Sequence, residues 1–242
     1  KMQIENPYKY FSQHRFDQRY KKGRETFSPL EGLQYFVNRF IDFEIVEPGK
    51  NYALIKEMGV LTGKEFDNSL RRIFLLLEQM AEETLDAIKS NNPKLVAHMH
   101  DVDINLDKFQ DYCIRILNRV GNKEPRKTSL LFTTLILLEM IGDEFKTISH
   151  HMIFDHPNKK LNPVVATLAE TIKKQLEIYY DLFYKFDNAK VAALSEVDHE
   201  LYLGASSLYK KADEEEKELF HHLRMIAKNI NALVEIRVEM EF

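Results

Sequence analysis

The chain has 242 residues, with 34 Lys and Arg against 38 Asp and Glu, a formal charge of −4 and a pI near 6.2. That balance excludes a protein that holds nucleic acid through bulk positive charge. Gly (8) and Pro (7) are too scarce for an all-β chain, and 16 Phe and 11 Tyr in a composition that is 44% hydrophobic exclude intrinsic disorder. A single cysteine, Cys113, cannot close an intramolecular disulfide, and no secretory leader opens the sequence. The most apolar stretch, Ser129 to Met140, falls well short of the ~18 apolar residues a bilayer span needs and is interrupted by Glu139. A cytoplasmic protein without membrane insertion is expected.

Residues 1–27 mix basic and aromatic side chains without a clear period and read as a loosely ordered arm. Ser28 and Glu31 are spaced as a capping box around Pro29, so a short helix begins there. Two strand-like runs, 43–47 and 52–56, flank the turn signal Pro48 to Asn51 and predict a small hairpin. From Glu65 onward the pattern is helical. Breaks at Asn91 to Pro93, Gly121 to Pro125, Asp155 to Pro163, Asp187-Asn188 and Asp213 cut helices at about 65–90, 93–119, 126–154, 163–186, 188–211 and 213–239. Connections this short favour antiparallel neighbours. The expected fold is therefore all-α, two tandem three-helix bundles with a small N-terminal α/β extension. The expected domains are 1–64, 65–155 and 160–242.

A faint internal repeat supports the tandem reading. Asp101-Val102-Asp103 sets on Glu196-Val197-Asp198, and Leu138-x-Met140-Ile141 sets on Leu223-x-Met225-Ile226.

The sharpest chemical signal is acidic. Asp103 and Asp107 lie four apart on the second long helix, and Glu139 and Asp143 lie four apart on the third, so each pair shares a helix face. Like charges at that spacing repel, and bringing the two pairs together calls for a cation or basic side chains between them. Glu139 borders the most apolar surface of the chain, where a lone charge is costly. An oxygen-only set suits a hard cation. Gly142, costing about 1 kcal/mol in helix propensity, leaves room for the close approach of a neighbour or ligand.

The stretches Asp103-Ile-Asn-Leu-Asp107 and Leu138-Glu139-Met-Ile-Gly142-Asp143 resemble the PhoU family of phosphate-uptake regulators. Tyr20 to Glu25, Phe40 to Glu47 and Leu70 to Phe74 are similar to its archaeal branch, in which an AbrB-type DNA-binding domain often precedes the helices. The resemblance implies two three-helix bundles and a metal face made of Asp103, Asp107, Glu139 and Asp143, holding a divalent or iron cation. It also implies a homodimer acting on a phosphate transporter ATPase or a signalling protein, without catalysis. In the second repeat Arg224 and Lys228 stand at the Glu139 and Asp143 positions, and Tyr202 stands at that of Asp107. Internal salt bridges to Asp198 are expected there in place of an ion. No AbrB strand pattern opens the chain, so the residues present give no support for direct nucleic-acid binding.

Other candidates are weaker. His98 and His100 point to different helix faces, and His150, His151 and His156 suit cationic caps of a helix C-terminus. Glu218-x-x-His221 is half of a di-iron carboxylate motif with no second half. Cys113 sits in a packed helical setting, and no nucleophile elbow or phosphate-cradling glycine motif occurs. The rival readings are a carboxylate-bridged metalloenzyme and a DNA-binding regulator whose specificity domain lies outside these residues.

Overall fold

The computed structural model describes residues 2–5, 29–49, 52–59, 62–155, 160–209 and 212–242. They fall into two compact units, 1–62 and 63–242. The expected capping box of Ser28 and most of the basic aromatic arm lie outside the described residues.

In the first unit, β1 (Met2–Glu5), β2 (Phe43–Pro48) and β3 (Tyr52–Glu57) form an antiparallel sheet of order β1-β3-β2, with the helix α1 (Pro29–Val37) against it. Strands β2 and β3 make the expected hairpin, and the amide of Gly49 donates to the carbonyl of Tyr52 at 2.8 Å. Ala53 and Ile55, two apart on β3, are buried against Leu33 and Val37 of α1, with Phe43 and Ile45 packed beside them. The register slips between Ile45 and Glu47, so Val46 forms a bulge. Met2–Glu5 departs from the expected loose arm. It pairs with β3 because that strand offers an open row of backbone donors and acceptors, which local composition does not reveal.

Among the described residues the second unit contains six long helices: α2 (Gly63–Ser90), α3 (Met99–Val120), α4 (Lys127–His150), α5 (Pro163–Tyr184), α6 (Asn188–Tyr209) and α7 (Glu214–Glu239). Each stops or starts for a local reason. Asn91 takes a left-handed conformation (φ 49°) that ends α2, and Gly121 (φ 74°) does the same after α3. Asn162 accepts the amide of Val164 ahead of Pro163, and Asp213 with Glu216 closes a full capping box on α7. Two boundaries differ from expectation. A short 3₁₀ turn, Pro93–Val96, precedes α3, so His98 becomes its N-cap, and α4 runs into a π turn, His151–Asp155.

Helices α2, α3 and α4 pack pairwise into one bundle, and α5, α6 and α7 into another. The bundles meet where α2 lies on α5 and α4 lies on α7. Phe74 of α2 is the centre of the first contact, its ring 5.2–6.0 Å from those of Tyr179, Tyr180, Phe183 and Tyr184. Arg71 lies over Tyr184 at 4.6 Å and donates to the Tyr180 hydroxyl at 3.3 Å.

Candidate cation-binding face

Asp103 sits on the face of α3 that packs against α4 and is 2% exposed. A carboxylate there needs a strong donor. Lys146, one turn beyond Gly142 on α4, supplies it: its Nζ donates to Asp103 Oδ2 at 2.7 Å and also pairs with Asp143. Burial pushes the Asp103 pKa up, and the Lys146 contact opposes that shift. For Lys146 burial works against the charged form, but its two carboxylate partners outweigh it and hold the pKa above the ordinary lysine value. Asp103 Oδ1 remains buried without a hydrogen-bond partner.

Glu139 completes the cluster one turn earlier on α4. Burial, followed by the negative charges of Asp143, Asp107 and Asp103, pushes its pKa up to about 7, with Lys146 opposing. The other three expected acids therefore all bear on Glu139. The structure brings Asp103 and Asp143 together on a single ammonium, and the charges of these two and of Asp107 act on Glu139.

Gly142 lies one turn before Lys146, in the contact between α4 and its neighbours. A Cβ there would fall 2.9 Å from Leu106 Cδ1 and 3.7 Å from Leu77 Cδ2, so the glycine lets α4 approach both α3 and α2. The neighbour it admits is a leucine pair.

Lys146 is absent from the acidic pattern, and the signal that points to it is its place three residues after Asp143, an i, i+3 pairing. Its importance is confirmed by the repeat. The offsets that set Asp103 on Asp198 and Leu138 on Leu223 also set Lys146 on Asn231. Asn231 Nδ2 donates to Asp198 Oδ2 at 3.4 Å, so both halves keep the same cross-helix contact, charged in one and neutral in the other. The expected salt bridges of Arg224 and Lys228 to Asp198 do not form among the described residues. Both bases are exposed, and the half-buried Asp198 meets Asn231 instead.

The remaining candidates take other roles. His98 pairs with Glu83 at 3.1 Å, tying α3 to α2, and His100 is exposed. Cys113 is buried, its thiol pKa pushed far up by that burial, and its Sγ donates to the Phe66 carbonyl at 3.8 Å. His150 lies 3.5 Å from Asp155, and His156 lies outside the described residues. Glu218 approaches His151 and His222 and is not joined to His221.

No family model matches the sequence, and no curated protein matches it. Among solved structures, the chain is similar to the phosphate transport system regulatory protein PhoU from Streptococcus pneumoniae, with a TM-score of 0.60 and 16% identity over 74% of this chain and 94% of that one. The fold is PhoU-like. At that identity, the likeness to PhoU speaks for the backbone arrangement alone. Among the described residues, no helix is long and apolar enough to cross a membrane.

Proposed function

We propose that the chain is a cytoplasmic, PhoU-like regulator of inorganic phosphate uptake and signalling, of the archaeal branch of that family. It works as a homodimer through contact with a transporter ATPase or a signalling protein, and carries out no chemistry of its own. The observation that carries this reading is the tandem pair of three-helix bundles, whose likeness extends over nearly the whole of the pneumococcal PhoU. The run Leu138 to Asp143, with its glycine in the tight α3–α4 contact, supports it.

The cation-binding part of the proposal rests on the donor set. Asp103, Asp107, Glu139 and Asp143 offer only oxygen, suited to a divalent or iron cation. The unpartnered Asp103 Oδ1 fits an oxygen held for an ion. Lys146 already bridges two of these acids, so an ion takes the face by displacing its ammonium. Metal titration of Lys146→Met against the parent tests this: affinity for Mn²⁺ should rise several-fold when the competing ammonium is removed and fall in Glu139→Gln. A Lys146→Met protein that is folded and binds no ion sinks the cation-binding part.

The regulatory part is tested separately, by surface plasmon resonance between the full chain and the phosphate-transporter ATPase encoded in the same genome. Saturable binding is expected. Absence of binding to that ATPase and to the cognate signalling kinase would overturn the adaptor reading. Sedimentation velocity should give a dimer.

A further inference from the structure

A second cluster lies where the end of α4 meets the start of α7. The π turn that follows α4 carries His151, and α7 carries Glu218 and His222, four apart and therefore on one face. One donor atom from each of these residues lies within 4.8 Å of the other two, and among the described residues no other such trio of His, Cys, Asp and Glu occurs. His151 Nε2 is 3.5 Å from Glu218 Oε1, close to the separation of about 3.3 Å between ligands of a tetrahedral Zn²⁺ with bonds near 2.0 Å. The two imidazole rings stack with centroids 5.3 Å apart.

Around this trio sits a second layer of carboxylates. Glu144 Oε2 is hydrogen-bonded to His222 Nδ1 at 2.6 Å, and Asp155 Oδ2 lies 2.7 Å from His151 Nδ1. His222 thus has its Nδ1 hydrogen-bonded to an acid, the carboxylate–histidine arrangement that fixes tautomer and ring orientation at metal centres, and Asp155 stands within ion-pair distance of His151 Nδ1. The histidine side chains are about 15% exposed and Glu218 about half exposed, so the trio has sheltered ligands and an open side for water.

We propose that His151, Glu218 and His222 form a binding site for one first-row transition metal ion of the Zn²⁺ type, spanning the two helical bundles. Two imidazoles and a carboxylate select such an ion over Mg²⁺ or Ca²⁺, which prefer oxygen alone. The site shares no residue with the oxygen-only face around Asp103. Because His151 follows a helix of the first bundle and the other ligands belong to the second, the ion staples α4 to α7.

The test is isothermal titration of the full chain, freed of metal by chelation, with Zn²⁺ and separately with Mg²⁺, together with anomalous diffraction at the zinc edge. One Zn²⁺ is expected between the three side chains, with no Mg²⁺ there. His151→Gln and Glu218→Gln should each weaken Zn²⁺ by tenfold or more, and Glu144→Gln, which touches only the second layer, by about 10–100-fold. Asp103→Asn should leave this site unchanged. Glu218 is half exposed, so its variant serves if a histidine variant fails to fold. Lack of anomalous density at the trio under stoichiometric Zn²⁺, or unchanged affinity in Glu218→Gln, overturns the proposal.

Discussion

Asp103 is almost wholly removed from water, and an aspartate so placed is tolerated only while a positive donor stays in contact with it. Lys146 fills that role from 43 residues away, while its stem keeps the ammonium near enough to the surface to reach Asp143 as well. Removing one partner of such a pair leaves a buried charge uncompensated. Lys146→Met should therefore lower stability by about 3 kcal/mol in urea denaturation at pH 7, whereas adding Asp103→Asn should recover most of the loss. Additive effects in that double-mutant cycle would show that the two side chains do not depend on each other. The second repeat supplies a natural comparison, since Asn231 meets Asp198 with no net charge on the donor.

At the scale of elements, the helix starts do more than stop fraying. Glu216 closes the capping box of α7 with Asp213, and its Oε1 also accepts the backbone amide of Asn162 at 2.8 Å, just where α5 begins. One buried carboxylate therefore fixes the starts of two helices against each other. Asp213→Ala removes a cap alone and should cost about 1 kcal/mol, while Glu216→Ala, which also strands a second amide, should cost about 2 kcal/mol; paired thermal melts would check the order. Between α2 and α5, Glu78 faces Glu177 and Asp181, with Lys173 as partial relief. Burial first, and the charge of Glu177 next, raise the Glu78 pKa above the ordinary carboxylate value. An acid raised in the folded state favours folding while protonated, and its contribution is lost as pH rises through that interval. Glu78→Gln should thus raise Tm at pH 7 and have little effect at pH 3, a difference that melts at the two pH values would read directly.

For the molecule as a whole, the pairing of the helical bundles includes an aromatic cluster at the α2–α5 contact and a carboxylate–imidazole contact at the α4–α7 contact. Phe74 is 2% exposed and touches four aromatic rings of α5, so Phe74→Ala should cost about 3–5 kcal/mol, measured by chemical denaturation. A loss below about 1 kcal/mol would mean that the aromatic rings close over the gap and that the bundles are held chiefly elsewhere. The Glu144–His222 contact joins α4 to α7 across 78 residues of sequence. It gives the second contact its directional character, which apolar packing lacks.

Sequence alone determined the helices, their breaks and the β2–β3 hairpin, because caps, left-handed stops and turn residues act on neighbours within about four positions. It also located the acids of α3 and α4, since i, i+4 spacing decides which side chains share a face. What it left open were meetings between distant segments: Lys146 entering between Asp103 and Asp143, His151 arriving beside Glu218 and His222, and Met2–Glu5 joining β3. The first two depend on which helix faces pack together and how far each is rotated, and the third on an open strand edge. That choice was made by the burial of Leu77, Leu106 and Phe74 against their neighbours, and the charged side chains took their partners from the result.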